Sequence, residues 1–230
     1  NKRLVNFIPE RFFYKPSTFL CTSLTSSSND FYKITETAPE LLWKVDIKDK
    51  LKFENLHNFL WLSRLDRKNS KLLAKNIINS WIDIFFNYHP NTWNPEITAR
   101  RIIAWSSNAD ITLEDSDKKY KKKFFVSLIK QSNFLSKNLN TFLDDPDKII
   151  CCAAIILSGM IFEENNSNFK TGIKELEKVI KNYFDESGFP KSRNPEDVFI
   201  CIKYLILIRE WLKEAQKSIP DFLNDIIGKC

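Results

Sequence analysis

Glycine is scarce in this 230-residue chain, with only 4 present. Folds rich in β-hairpins need glycine at their turns, so an all-β architecture is excluded. Histidine occurs twice, at His57 and His89, too far apart to supply a metal ligand set without paired thiols. The five cysteines, Cys21, Cys151, Cys152, Cys201 and Cys230, have no CxxC spacing, and an odd count does not make a disulfide framework. They read as small core residues, and neither metal nor cofactor is expected. Long apolar runs are missing too. The longest, Ile149 to Phe162, falls short of the ~20 residues that span a bilayer and reads as a buried helix. The chain begins at Asn1 with no apolar leader. The natural start is therefore expected to lie upstream, which leaves the compartment undecided.

What is present is aromatic and apolar. Hydrophobic residues make up 43% of the chain, with 19 Phe and 6 Trp, enough for a proper core and suited to long helices. The expected class is all-α. A net charge of +6 favours anionic partners but is too modest for a nucleic-acid binder. The cluster Lys118, Lys119, Lys121, Lys122 and Lys123 reads as a solvated helix face.

Residues 1–50 are broken by Pro9, Pro16, Pro39 and the Ser/Thr cluster from Thr22 to Ser28. Phe31 to Ile34 and Leu41 to Ile47 have the character of short strands or extended arms. This extension carries Phe12, Phe13, Tyr14, Phe31, Tyr32 and Trp43, too aromatic for a free tail, and is expected to wrap over a helical body spanning 51–230. There the apolar spacing predicts helices over Phe53–Leu65, Ser70–Tyr88, Pro95–Ser107, Ser116–Leu139, Pro146–Phe162, Ser167–Phe184 and Pro195–Lys217, and a last segment from Pro220.

The helix starts recur. Asn94-Pro95, Asp145-Pro146 and Asn194-Pro195 each place a capping side chain before a proline suited to the first helical position. They step by 51 and 49 residues, while Ser116, Ser167 and Ser218, candidate caps for the alternate helices, step by 51 and 51. Two interleaved series with one period imply a helical hairpin used repeatedly, as an open solenoid or an incomplete α/α toroid. Equivalent helices then point the same way. Their N-termini, with free N–H groups and positive dipole ends, should gather on one rim able to hold anions.

The stretch from Trp93 to Trp105 adds a functional oddity. Ile97, Arg101 and Trp105 share one helix face, so a guanidinium lies in line with an aromatic ring on an apolar stripe. Such a pairing suits an acidic sugar, with ring faces for C–H groups and a bidentate donor for a carboxylate. It equally suits an arginine satisfied inside the core. Trp93, beside the start of this helix, and Arg193 and Asn194, beside the start at Pro195, extend the candidate edge, although Asn194 is also explained as a helix cap and Arg193 as a solvated loop charge.

Three segments carry a family resemblance: Lys50 to Leu62 (KLKFENLHNFLWL), Trp93 to Trp105, and Ser187 to Pro195 (SGFPKSRNP). In order and separation they resemble the heparinase II/III-like polysaccharide lyases, from about Phe31 onward. The resemblance implies an N-terminal α/α toroid followed by a β-sandwich domain beyond this chain, in a protein of bacterial periplasm or cytoplasm. It also implies β-elimination on an acidic, uronic-acid-containing polysaccharide or oligosaccharide. A base takes the C5 proton, an amide or cation neutralises the C6 carboxylate, and an acid protonates the leaving oxygen. Asn194 would be the neutraliser and so the catalytic residue here. His57, Trp93, Arg101, Trp105 and Arg193 would bind substrate. His57, between Leu56 and Phe59, also fits a satisfied core position.

The chain departs from the family where Phe189 and Pro190 stand in place of a histidine. The tyrosine and second histidine that serve such lyases as acid and base belong beyond Cys230, so the chain is expected to be a part of a lyase. The competing expectation is a non-catalytic helical-repeat scaffold for a protein or anionic polymer, in which Arg101 and Asn194 lie apart or in unrelated contacts.

Overall fold

The computed structural model describes residues 4–24, Ile34 and 37–230. Ten α-helices are described: α1 (Pro39–Leu42), α2 (Lys50–His57), α3 (Lys71–Phe85), α4 (Pro95–Ser107), α5 (Ala109–Leu113), α6 (Lys118–Asn138), α7 (Pro146–Ile161), α8 (Asn166–Tyr183), α9 (Pro195–Glu214) and α10 (Asp221–Lys229). Among the described residues there is no strand, only an isolated antiparallel bridge between Phe184 and Pro190. The protein is all-α.

The Asn/Asp-Pro signals start helices as their chemistry dictates. Asn94 Oδ1 accepts from Glu96 N at 3.0 Å, Asp145 Oδ1 from Lys148 N at 3.0 Å, and Asn194 Oδ1 from Glu196 N at 3.0 Å. Each satisfies a donor that the first helical turn leaves free. The serine series behaves differently. Asp117 caps α6, while Ser116 turns its hydroxyl back to Thr112 O at 3.1 Å. α8 begins before Ser167, and α10 begins at Asp221 after Pro220. Asp117 takes the cap of α6, Pro220 precedes α10, and Asn165 precedes α8 without a side-chain cap hydrogen bond.

α7 is the central element. From Lys148 to Ile161 every residue is buried, with α4, α6, α8 and α9 packed around it. Gly159 and Gly172 let α7 and α8 approach closely: a Cβ on Gly159 would lie 2.2 Å from Phe169 N. Lys148, inside this junction, is held by Asp144 at 2.9 Å and Glu175 at 3.3 Å.

The predicted helix over Phe53–Leu65 is split. α2 ends at His57, Phe59 adopts φ 60, and a 3-10 turn follows over Leu60–Arg64. Of the predicted arms, Leu41–Ile47 begins inside the short helix α1, while Phe31–Tyr32 lie outside the described residues. The described part of the extension crosses the body: Phe13 N donates to Ile161 O at 2.8 Å, and Phe12 lies edge-on to Phe125 and Phe162. Tyr14 Oη donates to Glu214 at 2.5 Å. Cys21, Cys151, Cys152 and Cys201 are buried and free, and Cys230 is exposed and free. No helix among the described residues is long and apolar enough to cross a membrane.

Candidate functional site

Arg101 stands on the buried face of α4, with no exposed surface. Its Nε donates to Gln131 Oε1 at 2.6 Å, Nη1 to His57 O at 2.9 Å and Thr92 O at 3.0 Å, and Nη2 to Thr98 Oγ1 at 3.2 Å. The guanidinium also lies over the Trp81 ring, 4.0 Å from its centroid. Burial drives its pKa down, and no carboxylate opposes the shift. Two of its acceptors are main-chain carbonyls from irregular positions, the end of α2 and the turn before α4. A fork of five donors suits that task.

His57 adjoins this network. Its Nδ1 accepts from Trp81 Nε1 at 3.1 Å, and its Nε2 has no hydrogen-bond partner. Phe53, Phe85 and Trp43 pack around the ring, with centroids 4.3, 5.2 and 5.4 Å away. Burial, then the charge of Arg101 and then His89, push its pKa down to about 3. Trp93 and Trp105 are also interior. Trp93 Nε1 donates to Phe85 O at 2.9 Å, and Trp105 stacks on Phe124 and meets Phe59 edge-on.

These four positions correct the expectation of direct substrate contact. His57, Trp93, Arg101 and Trp105 are each at most 1% exposed, their rings covered by other rings and the arginine donors taken by protein acceptors. His57 and Arg101 do meet, but as an internal brace tying the ends of α2 and the α3–α4 loop to α6. The sequence reading missed the partners Thr92, Thr98 and Gln131. Part of the signal was available: Thr98 lies three positions before Arg101, while Gln131 is one of several buried polar residues of α6, with Ser127, Lys130, Ser132 and Asn133.

Arg193 and Asn194 lie elsewhere, on an exposed turn. Asp185 Oδ1 accepts from Ser187 Oγ at 2.6 Å, Ser187 N at 2.9 Å and Phe189 N at 3.0 Å. These bonds, that to the Ser187 hydroxyl foremost, hold its pKa down to about 2. Gly188 adopts φ 84, and a Cβ there would strike Lys229. Arg193, with φ 58, pairs Nη1 with Asp185 Oδ2 at 2.8 Å and leaves its side chain 66% exposed. Asn194 Nδ2 donates to Asp197 Oδ1 at 3.0 Å. Asp197 Oδ2 also accepts from Tyr183 and Ser192, and these bonds lower its pKa. Lys191 Nζ donates to Asn182 O at 2.8 Å.

The starts of α4, α7 and α9 share one end of the bundle. Asp147, in the first turn of α7, has its pKa raised to about 6 by burial of its carboxyl and then by Glu96 and Asp145, with Arg100 opposing. Arg100 bridges to Glu96 at 2.5 Å and lies over the Tyr204 ring of α9, 5.8 Å from its centroid. Cys201 of α9 is pushed up to about 12 by burial, with Asp197 and Asp145 adding to it. A rim of three helix starts thus carries cations and carboxylates together, and among the described residues no group of side chains is arranged to hold a metal ion. Comparison with protein-family models, with curated proteins and with solved structures finds no match.

Proposed function

We propose that this chain is the helical part of a polysaccharide lyase of the heparinase II/III-like kind, and that the rim formed by the starts of α4, α7 and α9 faces an acidic glycan. The observation that carries the reading is the Asp185–Asn194 turn. A left-handed glycine and a left-handed arginine, locked by Asp185 and Asp197, hold Arg193 and Asn194 side by side in solvent on that rim. Asn194 keeps Oδ1 on the helix start and one amide hydrogen on Asp197. Its other amide hydrogen is free for a C6 carboxylate. Neutralising that carboxylate stabilises the carbanion formed when the C5 proton leaves. Arg193 supplies the long-range attraction.

The test is expression from the complete gene and assay against polyuronates and glycosaminoglycans for an unsaturated uronide absorbing in the ultraviolet. Asn194→Ala should abolish the product while leaving the helical circular dichroism intact, and an undiminished rate would remove Asn194 from the chemistry. A second reading, a non-catalytic scaffold for an anionic polymer, is favoured by Arg101, whose guanidinium is buried and makes four internal hydrogen bonds. Under it the same gene product binds polyuronate without cleaving it.

A further inference from the structure

We infer that the loop between α3 and α4, residues 86–93, is the surface on which a carboxylate-bearing sugar docks, attracted by two buried cations beneath it and stacked on the ring of Tyr88. This deepens the acidic-glycan reading and rests on it.

The cations are Arg101 and Lys130. Lys130 is 2% exposed; its Nζ donates to Phe86 O at 2.8 Å and Asn87 Oδ1 at 3.1 Å and lies 3.8 Å from the Phe86 ring centroid. Its hydrogen-bond acceptors, like those of Arg101, are all uncharged. Burial lowers the pKa of both, with no acidic neighbour acting against it. Elsewhere the protein neutralises its buried lysine, as Asp144 and Glu175 do for Lys148. Two charges left without counter-ions in a weakly polarisable interior project a positive potential through the nearest surface.

That surface is the loop itself, because the two cations grip its ends. Lys130 holds Phe86 O, and Arg101 holds Thr92 O. Between the grips Asn87, Tyr88, His89 and Pro90 face solvent. Tyr88 is 58% exposed, yet its ring is backed by Phe134 at 5.7 Å and Trp93 at 6.3 Å, which makes a platform for the C–H face of a sugar. Exposed Asn87 places its neutral amide oxygen on Lys130 Nζ. A ligand carboxylate that takes this oxygen's place turns a hydrogen bond to a neutral acceptor into an ion pair.

The test is isothermal titration of the 230-residue chain with an oligogalacturonate, and with a neutral cello-oligosaccharide as the comparison. Wild type should bind the uronate, more weakly as salt rises, and should not bind the neutral sugar. Tyr88→Ala and Lys130→Met should each weaken uronate binding at least tenfold. If Lys130→Met loses its helical circular dichroism, Tyr88→Ala decides alone. Unchanged affinity in these variants, with Arg193→Ala weakened, overturns the loop site and leaves the proposed function standing. No uronate binding by wild type overturns the loop site, and the ultraviolet assay of the complete gene product decides the proposed function separately.

Discussion

Trp81 Nε1 directs its hydrogen at Nδ1 of His57 across 3.1 Å, which makes the imidazole an acceptor and holds it neutral. Burial, then the charge of Arg101 in the same network and then His89, disfavour the imidazolium form of His57. The two residues that looked most like substrate contacts are therefore coupled through stability.

The sign of that coupling can be measured. His57 has a folded pKa of about 3 against 6.5 for the free side chain, so the unfolded chain takes up the proton first. Its contribution is complete above pH 6.5 and is lost as pH falls toward 3, at up to about 1.4 kcal/mol per pH unit. His57→Gln, which keeps an acceptor for Trp81 and does not titrate, should flatten this part of the profile. Urea unfolding of both proteins at pH 7, 5.5 and 4.5 checks it; parallel profiles would show that His57 is not the responsible group.

Arg101→Met should cost roughly 2–4 kcal/mol. It strips donors from Gln131 and from the carbonyls of His57 and Thr92, each orphan costing about 1–3 kcal/mol, while relief of a buried charge offsets part of the loss. The urea midpoint reports it. The same variant should also raise hydrogen exchange in the 86–93 loop, which Arg101 braces at Thr92.

Asp147 predicts the opposite pH sign. Its folded pKa, about 6, lies above the usual 3.8, so the native state holds the proton longer than the unfolded chain. Its ionisation weighs against the fold increasingly as pH rises between those values. Asp147→Asn should stabilise the protein at pH 7.5 by at most ~1 kcal/mol, since the carboxyl lies against the neighbouring helix starts while the rest of the residue is open to solvent, which screens it, and the gain should vanish below pH 4. Thermal melts across that range test it, and a variant less stable than wild type at pH 7.5 would contradict the sign.

The contact between α7 and α8 depends on absent side chains. Gly159→Ala would drive a methyl to 2.2 Å from Phe169 N, where backbone cannot give way cheaply, so a loss of about 3 kcal/mol or more is expected. Gly228→Ala, with nothing within 4 Å, should instead gain up to about 1 kcal/mol from helix propensity. Chemical denaturation of the pair separates packing from propensity.

Helices that announce both period and cap were legible in the sequence. Pro95–Ser107 is found at the predicted bounds, α7 ends one residue before its predicted end, and α8 both begins and ends one residue early. The break at Asn58–Phe59 was not legible, because Leu56, Phe59 and Leu60 keep helical spacing while the backbone turns left-handed to set Asn58 Oδ1 on Leu60 N at 2.9 Å. The site was less legible than the fold. Arginine in line with tryptophan reads alike for a sugar cleft and for a core brace, and only the partners choose between them. Those partners, His57 O and Gln131, are distant in sequence. Lys130 escaped notice because periodicity cannot show that a lysine lacks a counter-ion.

Asn194 bears two loads, and two substitutions divide them. Asn194→Ala removes the acceptor from Glu196 N and the donor to Asp197, and loss of the cap alone should cost about 1 kcal/mol. Asn194→Asp restores the cap but sets a carboxylate beside that of Asp197, where a substrate carboxylate would approach. Stability should therefore recover in part with Asp, measured as the thermal midpoint at pH 7, whereas product formation by the complete gene product should stay abolished in both variants. Recovery of turnover together with stability in Asn194→Asp would show that Asn194 serves only to start α9.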